Sequence, residues 1–431
     1  MNFFVNLLKK ICKYLTILIF LFYSTSIFSE SSLREELRSA IYFGNVSLVS
    51  KLIGKGVNIN ENDSYGRSPL IQAILMNNVN MVKLIVDNGA ELNNSYYFSK
   101  TPLIEAICIG NSEIVEYLIK KGALVHLVDK SNKSPIEYAA EYGRVDIAEL
   151  LVNSNINAIN SSRSIRSSLI LAVAKGHGSI VDLLIKRFFI NKKFLENIKF
   201  SDGKNLLFAA IDCGKKEIVS SLISAGADLE NIDINGWSPL KAAIYLNNKD
   251  IIKMLLENGV NANGNDNNKV PSPLICALIY FDKRYVKDVV SLLIKHGANV
   301  NGNKNYKVKP LYLSIVNDLI DVAKLLISSG ADLNAYSFDN STTALHNATI
   351  FNKLEFVNLL INSGADVNIK DNRGFTPLDY AEGEVFNILT LHGACTGEEL
   401  ISWWDRFILT INEFISNLKK AIINIVNCKN H

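Results

Sequence analysis

Asp371-Asn372-Arg373-Gly374-Phe375-Thr376-Pro377-Leu378 reads as a turn that runs into the start of a helix. Aspartate, asparagine and glycine supply turn conformations. Threonine then offers an N-cap oxygen, and proline takes the first helical position, where its missing N–H is no loss. The last three residues recur at Ser68-Pro69-Leu70, Thr101-Pro102-Leu103, Ser134-Pro135-Ile136, Ser238-Pro239-Leu240, Ser272-Pro273-Leu274 and Lys309-Pro310-Leu311. Seven of the eight prolines therefore sit at one kind of mark. Weaker forms stand at Ser168-Leu169, Leu206-Leu207 and Thr343-Ala344-Leu345-His346. The first steps, from 69 to 102, 135 and 168, are 33 residues each, and a period of that length means stacked repeats.

A second mark keeps phase with the first. Gly-Ala recurs at 89, 122, 226, 297, 330 and 364, and the motif leucine precedes that glycine by 19 residues in nearly every unit, as from Leu70 to Gly89. Leu37 to Gly56 obeys the same spacing without the proline, so the units keyed on 37, 70, 103, 136, 169, 207, 240, 274, 311, 345 and 378 make eleven. Each is predicted to hold two short helices. The first ends near a glycine, as at Gly110, Gly143 and Gly176; the second carries paired aliphatics such as Leu150 and Leu151. The closing glycine supplies a left-handed turn. The segment that follows, as in 365–374, alternates and carries turn residues, which predicts a protruding hairpin.

These motifs, with the Gly-Ala-Asp-Leu-Asn and Gly-Ala-Asp-Val-Asn closures at 330–334 and 364–368, resemble the ankyrin-repeat family over about residues 31–394. The resemblance implies an all-α solenoid of helix–turn–helix pairs with β-hairpin fingers, working as a protein-binding scaffold without catalysis. The fit breaks in three places. Arg187-Phe188-Phe189 stands where a turn glycine belongs, and about five extra residues follow before Leu207. The unit at Leu274 has four extra residues around 282–285, and the last unit, from Leu378 to Gly393, is four short. A hinge, a docking loop or plain drift would each explain the first break.

The 431 residues carry a net charge of +3, are 48% hydrophobic and contain six cysteines. That apolar fraction excludes a mostly disordered chain. Lys9, Lys10 and Lys13 are the only charges in residues 1–29, so the remainder has no net charge to hold phosphates and no nucleic-acid partner is expected. The cysteines and the six histidines are dispersed, which gives no metal knuckle, no redox pair and no cofactor site. Gly54-Lys55-Gly56 and Gly176-His177-Gly178 fall at helix ends set by the repeat, so they are not phosphate loops, and no catalytic constellation stands out. Cys108, Cys213 and Cys276 read as small buried hydrophobes.

Residues 1–29 combine the three lysines, an apolar run from Leu15 to Phe22, and small residues at Ser24, Thr25, Ser26 and Ser29. That is the plan of a secretory signal peptide. Two outcomes stay open for this segment, a cleaved leader or an uncleaved single-pass anchor.

Helix geometry points to a binding face. In the first helix of each unit, positions 0, +3 and +4 from the motif leucine share the core side, and at 100° per residue +5 and +6 point away. Those positions are Tyr42 and Phe43, Leu75 and Met76, Cys108 and Ile109, Glu141 and Tyr142, Ala174 and Lys175, Asp212 and Cys213, Tyr245 and Leu246, Ile279 and Tyr280, Val316 and Asn317, and Ile350 and Phe351. So apolar a strip marks a partner site if exposed, or packing between neighbouring first helices if half buried. The family resemblance implies that this strip is a concave groove. Trp237 should lie beside Tyr245 and Leu246, and aromatic clusters are typical interface anchors. Tyr96, Tyr97 and Phe98 form a weaker candidate.

Residues 395–431 read as an amphipathic helix, with Trp404, Phe407, Ile408, Ile411, Phe414, Ile415, Leu418, Ile422 and Ile425 on one face. Three destinations are open to it: capping the last repeat, self-association as a coiled coil in a homo-oligomer, or lying on a membrane with Trp403 and Trp404 at the interface. The expectation is an exported or membrane-anchored scaffold whose partner is a protein. The alternative is an envelope-associated structural protein that acts through tail and leader. Lysines outnumber arginines 35 to 10, and with the leader this resembles exported ankyrin proteins that intracellular bacteria direct at host cells.

Overall fold

The computed structural model describes residues 32–94, 100–155, 162–264, 271–303, 306–337, 342–400, 407–408 and 410–416. The chain divides into two compact units, Met1–Ile198 with Ser224–Gly226, and Lys199–Ile223 with Ala227–His431. Both are built from antiparallel pairs of short helices, an inner one and an outer one.

In the first unit the inner and outer helices are 32–42 with Val46–Gly54, Pro69–Leu75 with Val79–Asp87, and Pro102–Ile109 with Ser112–Lys120. Pro135–Tyr142 with Val145–Ser154 and Ser162–Lys175 with Gly178–Arg187 follow, and a short helix Lys192–Glu196 closes the unit. The second unit pairs Leu206–Asp212 with Lys216–Ser224, Pro239–Tyr245 with Lys249–Glu257, and Pro273–Tyr280 with Val286–Lys295. Pro310–Val316 with Ile320–Ser328, Ala344–Ile350 with Leu354–Asn362, and a 3-10 turn Pro377–Tyr380 with Gly383–Leu391 complete it.

The punctuation works as expected. The hydroxyls of Ser68, Thr101, Ser238 and Ser272 accept from the backbone N–H of Ile71, Ile104, Lys241 and Ile275 at 3.2–3.4 Å. Ser134 goes further, since its N–H donates at 2.8 Å to Glu137, which closes a capping box. Inward from the caps, Leu70, Ala73 and Ile74, or Leu240, Ala243 and Ile244, are buried together. Position +3 is Ala40, Ala73, Ala106, Ala139, Ala172, Ala210, Ala243, Ala277 and Ala348, all buried, with Ser314 substituting once. A side chain this small lets consecutive inner helices approach closely.

Seven residues after the motif leucine the chain must turn with a positive φ. Glycine does this at 44, 110, 143, 176 and 214, whereas Asn77, Asn247, Asp318 and Asn352 do it with φ of 50–62°. Asparagine and aspartate tolerate that region because their short polar side chains bond locally. At Gly110 there is a second requirement, because a Cβ there would meet the Arg144 guanidinium.

The fingers differ from the expected hairpins. Among the described residues no β-strand forms, and only the isolated bridges Lys199–Asn205 and Ser337–Thr342 occur. In four repeats the finger is instead a tight turn closed by an aspartate. Asp63 Oδ1 accepts from the N–H of Tyr65 and Arg67 at 2.9 and 2.7 Å, and Gly66 N–H donates to Asp63 O at 2.9 Å. The carboxylate takes N–H groups that a ladder would otherwise use. Behind the fingers, asparagines tie successive repeats. Asn60 Nδ2 donates to Gly89 O at 3.1 Å while its Oδ1 accepts from Glu91 N–H at 2.9 Å, and Asn263 does the same to Gly297 and Asn299.

The three breaks have local explanations. The outer helix Gly178–Arg187 runs one residue longer than Val79–Asp87, and Phe189 takes the left-handed turn with φ 49°. The extra residues then form the helix Lys192–Glu196, capped by Asn191. In the unit at Leu274, Phe281 is buried in extended conformation instead of turning, and Asp282 N–H donates to Asn247 Oδ1 at 2.6 Å. In the last unit the inner helix shrinks to one 3-10 turn, which absorbs the missing residues.

Residues 395–400 close the last repeat. Thr376 Oγ1 donates to Cys395 O at 2.7 Å, Gly397 N–H donates to Asp379 Oδ2 at 2.8 Å, and Lys370 Nζ donates to Gly397 O at 3.0 Å. Over residues 407–416 of the amphipathic helix, Phe407, Ile408, Ile411, Phe414 and Ile415 are exposed, so this stretch does not cap the array. The leader at 1–29, Tyr96, Tyr97 and Phe98, Trp403 and Trp404, Cys12, Cys428 and the tail beyond 416 lie outside the described residues. Among the described residues no helix is long and apolar enough to cross a membrane.

Candidate partner-binding site

The +5 and +6 positions divide by environment. In the first unit Tyr42 and Phe43 are exposed and meet edge to face at 5.3 Å, whereas Leu75, Cys108 and Ile109 are half buried between inner helices. Tyr142 is exposed and stacks on Tyr138 at 6.3 Å. Tyr138 is itself closed in, with Lys100 and Lys133 over its ring at 5.3 and 4.4 Å. Lys100 Nζ reaches Cys108 Sγ at 3.5 Å, yet burial, against that cation, pushes the thiol up and leaves it a poor nucleophile.

In the second unit the expected aromatic group assembles. Trp237 sits on the finger, with Tyr245 and Tyr280 at the ends of two successive inner helices. The ring centroids are 5.7 Å apart for Trp237–Tyr245, 6.0 Å for Trp237–Tyr280 and 5.5 Å for Tyr245–Tyr280. Two of the three contacts are edge to face, an arrangement that aromatic quadrupoles favour. Tyr245 is 56% exposed and Tyr280 42%, with Leu246 and Ile279 exposed alongside and Trp237 half buried. Val316, Ile350 and Phe351 are exposed on later inner helices of this unit.

Next to the cluster lies a pocket of about 390 Å³. Lys204, Phe208 and Asp212 form one wall, and Asp233, Trp237, Ala242, Tyr245 and Leu246 the other. Asp233 closes its finger as Asp63 does, with Oδ1 accepting from the N–H of Asn235 and Trp237 at 2.9 and 2.8 Å. Lys204 Nζ pairs with Asp212 at 3.3 Å and lies 5.9 Å from the Phe208 ring centroid. Below the finger Lys241 is 2% exposed beside Cys276. Burial pushes the Lys241 ammonium down and the Cys276 thiol up to about 11. Among the described residues no group of three His, Cys, Asp or Glu side chains could hold a metal ion, and Cys108, Cys213, Cys276 and Cys395 are free thiols.

Family models described as ankyrin repeats match residues 93–160, 169–268, 264–337 and 336–397, and a second model of the same repeats matches 37–86 and 136–185. The chain belongs to the ankyrin-repeat family. Ankyrin repeats generally mediate protein–protein interaction. A search of the curated proteins returns no match. Among solved structures the human ASB11 ankyrin repeat domain is similar, 26% identical over 52% of this chain and 96% of its own, with a TM-score of 0.42.

Lys204, Phe208, Asp233, Asn235 and Ala242 of the pocket lining went unseen in sequence. Phe208, at +1 from its motif leucine, and Ala242, at +2, are apolar residues in helices and look like core. Comparing position +2 across the ankyrin repeats would have shown Tyr138 and Tyr380 where the seventh repeat has Ala242.

Proposed function

We propose that the protein is a non-catalytic binding scaffold that holds a partner protein on the inner-helix face of its ankyrin repeats. Trp237, Tyr245 and Tyr280, with Leu246 and Ile279, are its main anchors. Tyr42, Phe43, Tyr142 and Phe351 contribute on other repeats. The observation that carries this reading is the three-ring cluster, exposed and set beside a pocket, since a soluble surface has no internal reason to gather such rings. The test is capture with residues 30–431 as bait against a Trp237→Ala, Tyr245→Ala, Tyr280→Ala variant of unchanged helicity and melting. Truncating one anchor of this kind costs about 2 kcal/mol or more, roughly thirtyfold in affinity, so the triple variant should lose at least that much. A partner retained equally by both baits defeats the reading.

A second role for the ends of the chain is favoured by the exposed apolar side chains over 407–416. On this reading residues 1–29 export the protein or anchor it, and the tail attaches it to a membrane or to another copy, as in an envelope protein. A bacterial source and a host-directed role are the corresponding proposal, motivated by the leader and the lysine-rich composition. Fractionation of the producing cell tests it. A wholly cytoplasmic product with its leader intact would sink export, and unchanged fractionation and oligomer size on deleting the tail would sink attachment.

A further inference from the structure

Four repeats place an aspartate seven residues before the motif leucine: Asp63, Asp129, Asp233 and Asp371. In each, Oδ1 accepts backbone N–H groups of the finger, which leaves Oδ2 for other donors. Three of the four find a side-chain donor there. Asp63 Oδ2 takes Arg67 Nε at 2.9 Å and Arg38 Nη1 at 3.4 Å, Asp129 Oδ2 takes the Tyr138 hydroxyl at 2.7 Å, and Asp371 Oδ2 takes the Tyr380 hydroxyl at 2.6 Å. Asp233 has no such donor.

The sequence explains the vacancy position by position. Where the first two repeats supply Arg38 and Arg67, the corresponding residues are Phe208 and Trp237; where the fourth and eleventh supply tyrosine, the residue is Ala242. All three line the 390 Å³ pocket, and alanine where the fourth and eleventh repeats have tyrosine leaves room beside Asp233. The surrounding cations are otherwise engaged. Lys204 is paired with Asp212, whereas the buried Lys241 ammonium, beside Cys276, is attracted to Asp233 without a hydrogen bond or contact ion pair to it.

We propose that this pocket seats an arginine side chain of the partner protein, whose guanidinium donates to Asp233 Oδ2 and lies against Trp237 and Tyr245. The inference rests on the scaffold reading above and names the chemistry of its ligand. The second repeat displays the same recognition within the chain, since Arg67 bonds Asp63 while its guanidinium lies 4.9 Å from the Tyr65 ring centroid. Guanidinium suits the pocket because it donates in a planar fork and stacks on aromatic faces, which a lysine ammonium does not reproduce. The lining itself holds two carboxylates, Asp212 and Asp233, and one cation, Lys204, and the buried Lys241 ammonium also acts on Asp233.

The experiment selects peptides from a random display library on the full chain and measures them against three proteins. These are the wild type, Ala242→Tyr, and the Trp237, Tyr245, Tyr280 triple alanine variant. Ala242→Tyr restores the phenol that two sister repeats already carry, so it should fold and melt no lower than wild type while filling the seat. The expected result is a set of peptides sharing one arginine. Replacing it with lysine, or binding to Ala242→Tyr instead of wild type, should each weaken affinity about tenfold or more. Peptides that share no arginine, or bind Ala242→Tyr as well as wild type, overturn the arginine seat. If those peptides are still lost on the triple variant, the scaffold reading survives that failure. No selected peptide, or peptides indifferent to every variant, overturns both.

Discussion

Phe189 holds a conformation that its neighbours assign to glycine. Its φ of 49° and its 85% exposure mean that it bears left-handed strain with little packing in return. A non-glycine residue there costs about 1–2 kcal/mol, partly offset by the greater chain entropy that glycine gives up. Phe189→Gly should therefore raise stability by about 0.5–1 kcal/mol in chemical denaturation. The irregularity was legible in Arg187-Phe188-Phe189; that the backbone keeps the turn regardless was not, because one extra helical residue restores the phase.

His346 is fully buried, with Nδ1 on the Thr343 cap and Nε2 at 3.1 Å from Phe375 O, and burial pushes its pKa below 6.5. Its folded pKa is lower than its unfolded one, so only the unfolded chain takes up the proton in that window. Its contribution to stability is complete above about pH 6.5 and shrinks as pH falls toward the folded pKa, by at most about 1.4 kcal/mol per unit. His346→Gln should flatten this limb. Asp371 belongs to another window. Against burial, the Tyr380 hydroxyl and the Phe375 and Arg373 N–H groups hold its carboxyl low, so its contribution is lost only below about pH 3.8. Urea melts between pH 5 and 7 on both proteins would decide the matter.

At the scale of elements, helix pairs, caps and core positions were readable because each depends on residues within one repeat. The fingers were not. Alternation in 365–374 suggested paired strands, but Asp371 Oδ1 accepts the Arg373 and Phe375 N–H groups at 2.8 and 3.0 Å, so the turn closes on a side chain. The tail was legible only in part, because an apolar stripe says that a face needs cover without saying where. Its closing function lies in 395–400. Truncation after Leu400 should leave the melting of the array within about 0.5 kcal/mol of the full chain, while truncation after Ala394 removes the bonds to Thr376, Asp379 and Lys370 and should cost about 1–3 kcal/mol. Calorimetry on the two truncations separates these outcomes.

Across the whole molecule, the division at Ile198 and Lys199 falls inside the stretch whose spacing departs from the period. Repeat proteins gain stability from each unit and its nearest neighbours, so long arrays lose all-or-none behaviour. Urea unfolding should accordingly show more than one transition, and His346→Gln should shift only the one belonging to the second unit. A single coincident transition by circular dichroism and tyrosine fluorescence would count against this. The period revealed where the regular array falters, but the pocket stayed hidden. It pairs a finger aspartate with a small residue at +2, visible only beside the two repeats that pair the same aspartate with tyrosine.

A surface made by repetition is nearly degenerate: a ligand moved along by one repeat meets almost the same backbone. The pairing of Asp233 with Ala242 breaks that translational symmetry. Within the second unit only Asp233 and Asp371 share the finger position, and Tyr380 already covers the latter. A chain laid along this face therefore has one unambiguous origin from which to count, and losing a single side chain has given the array an address.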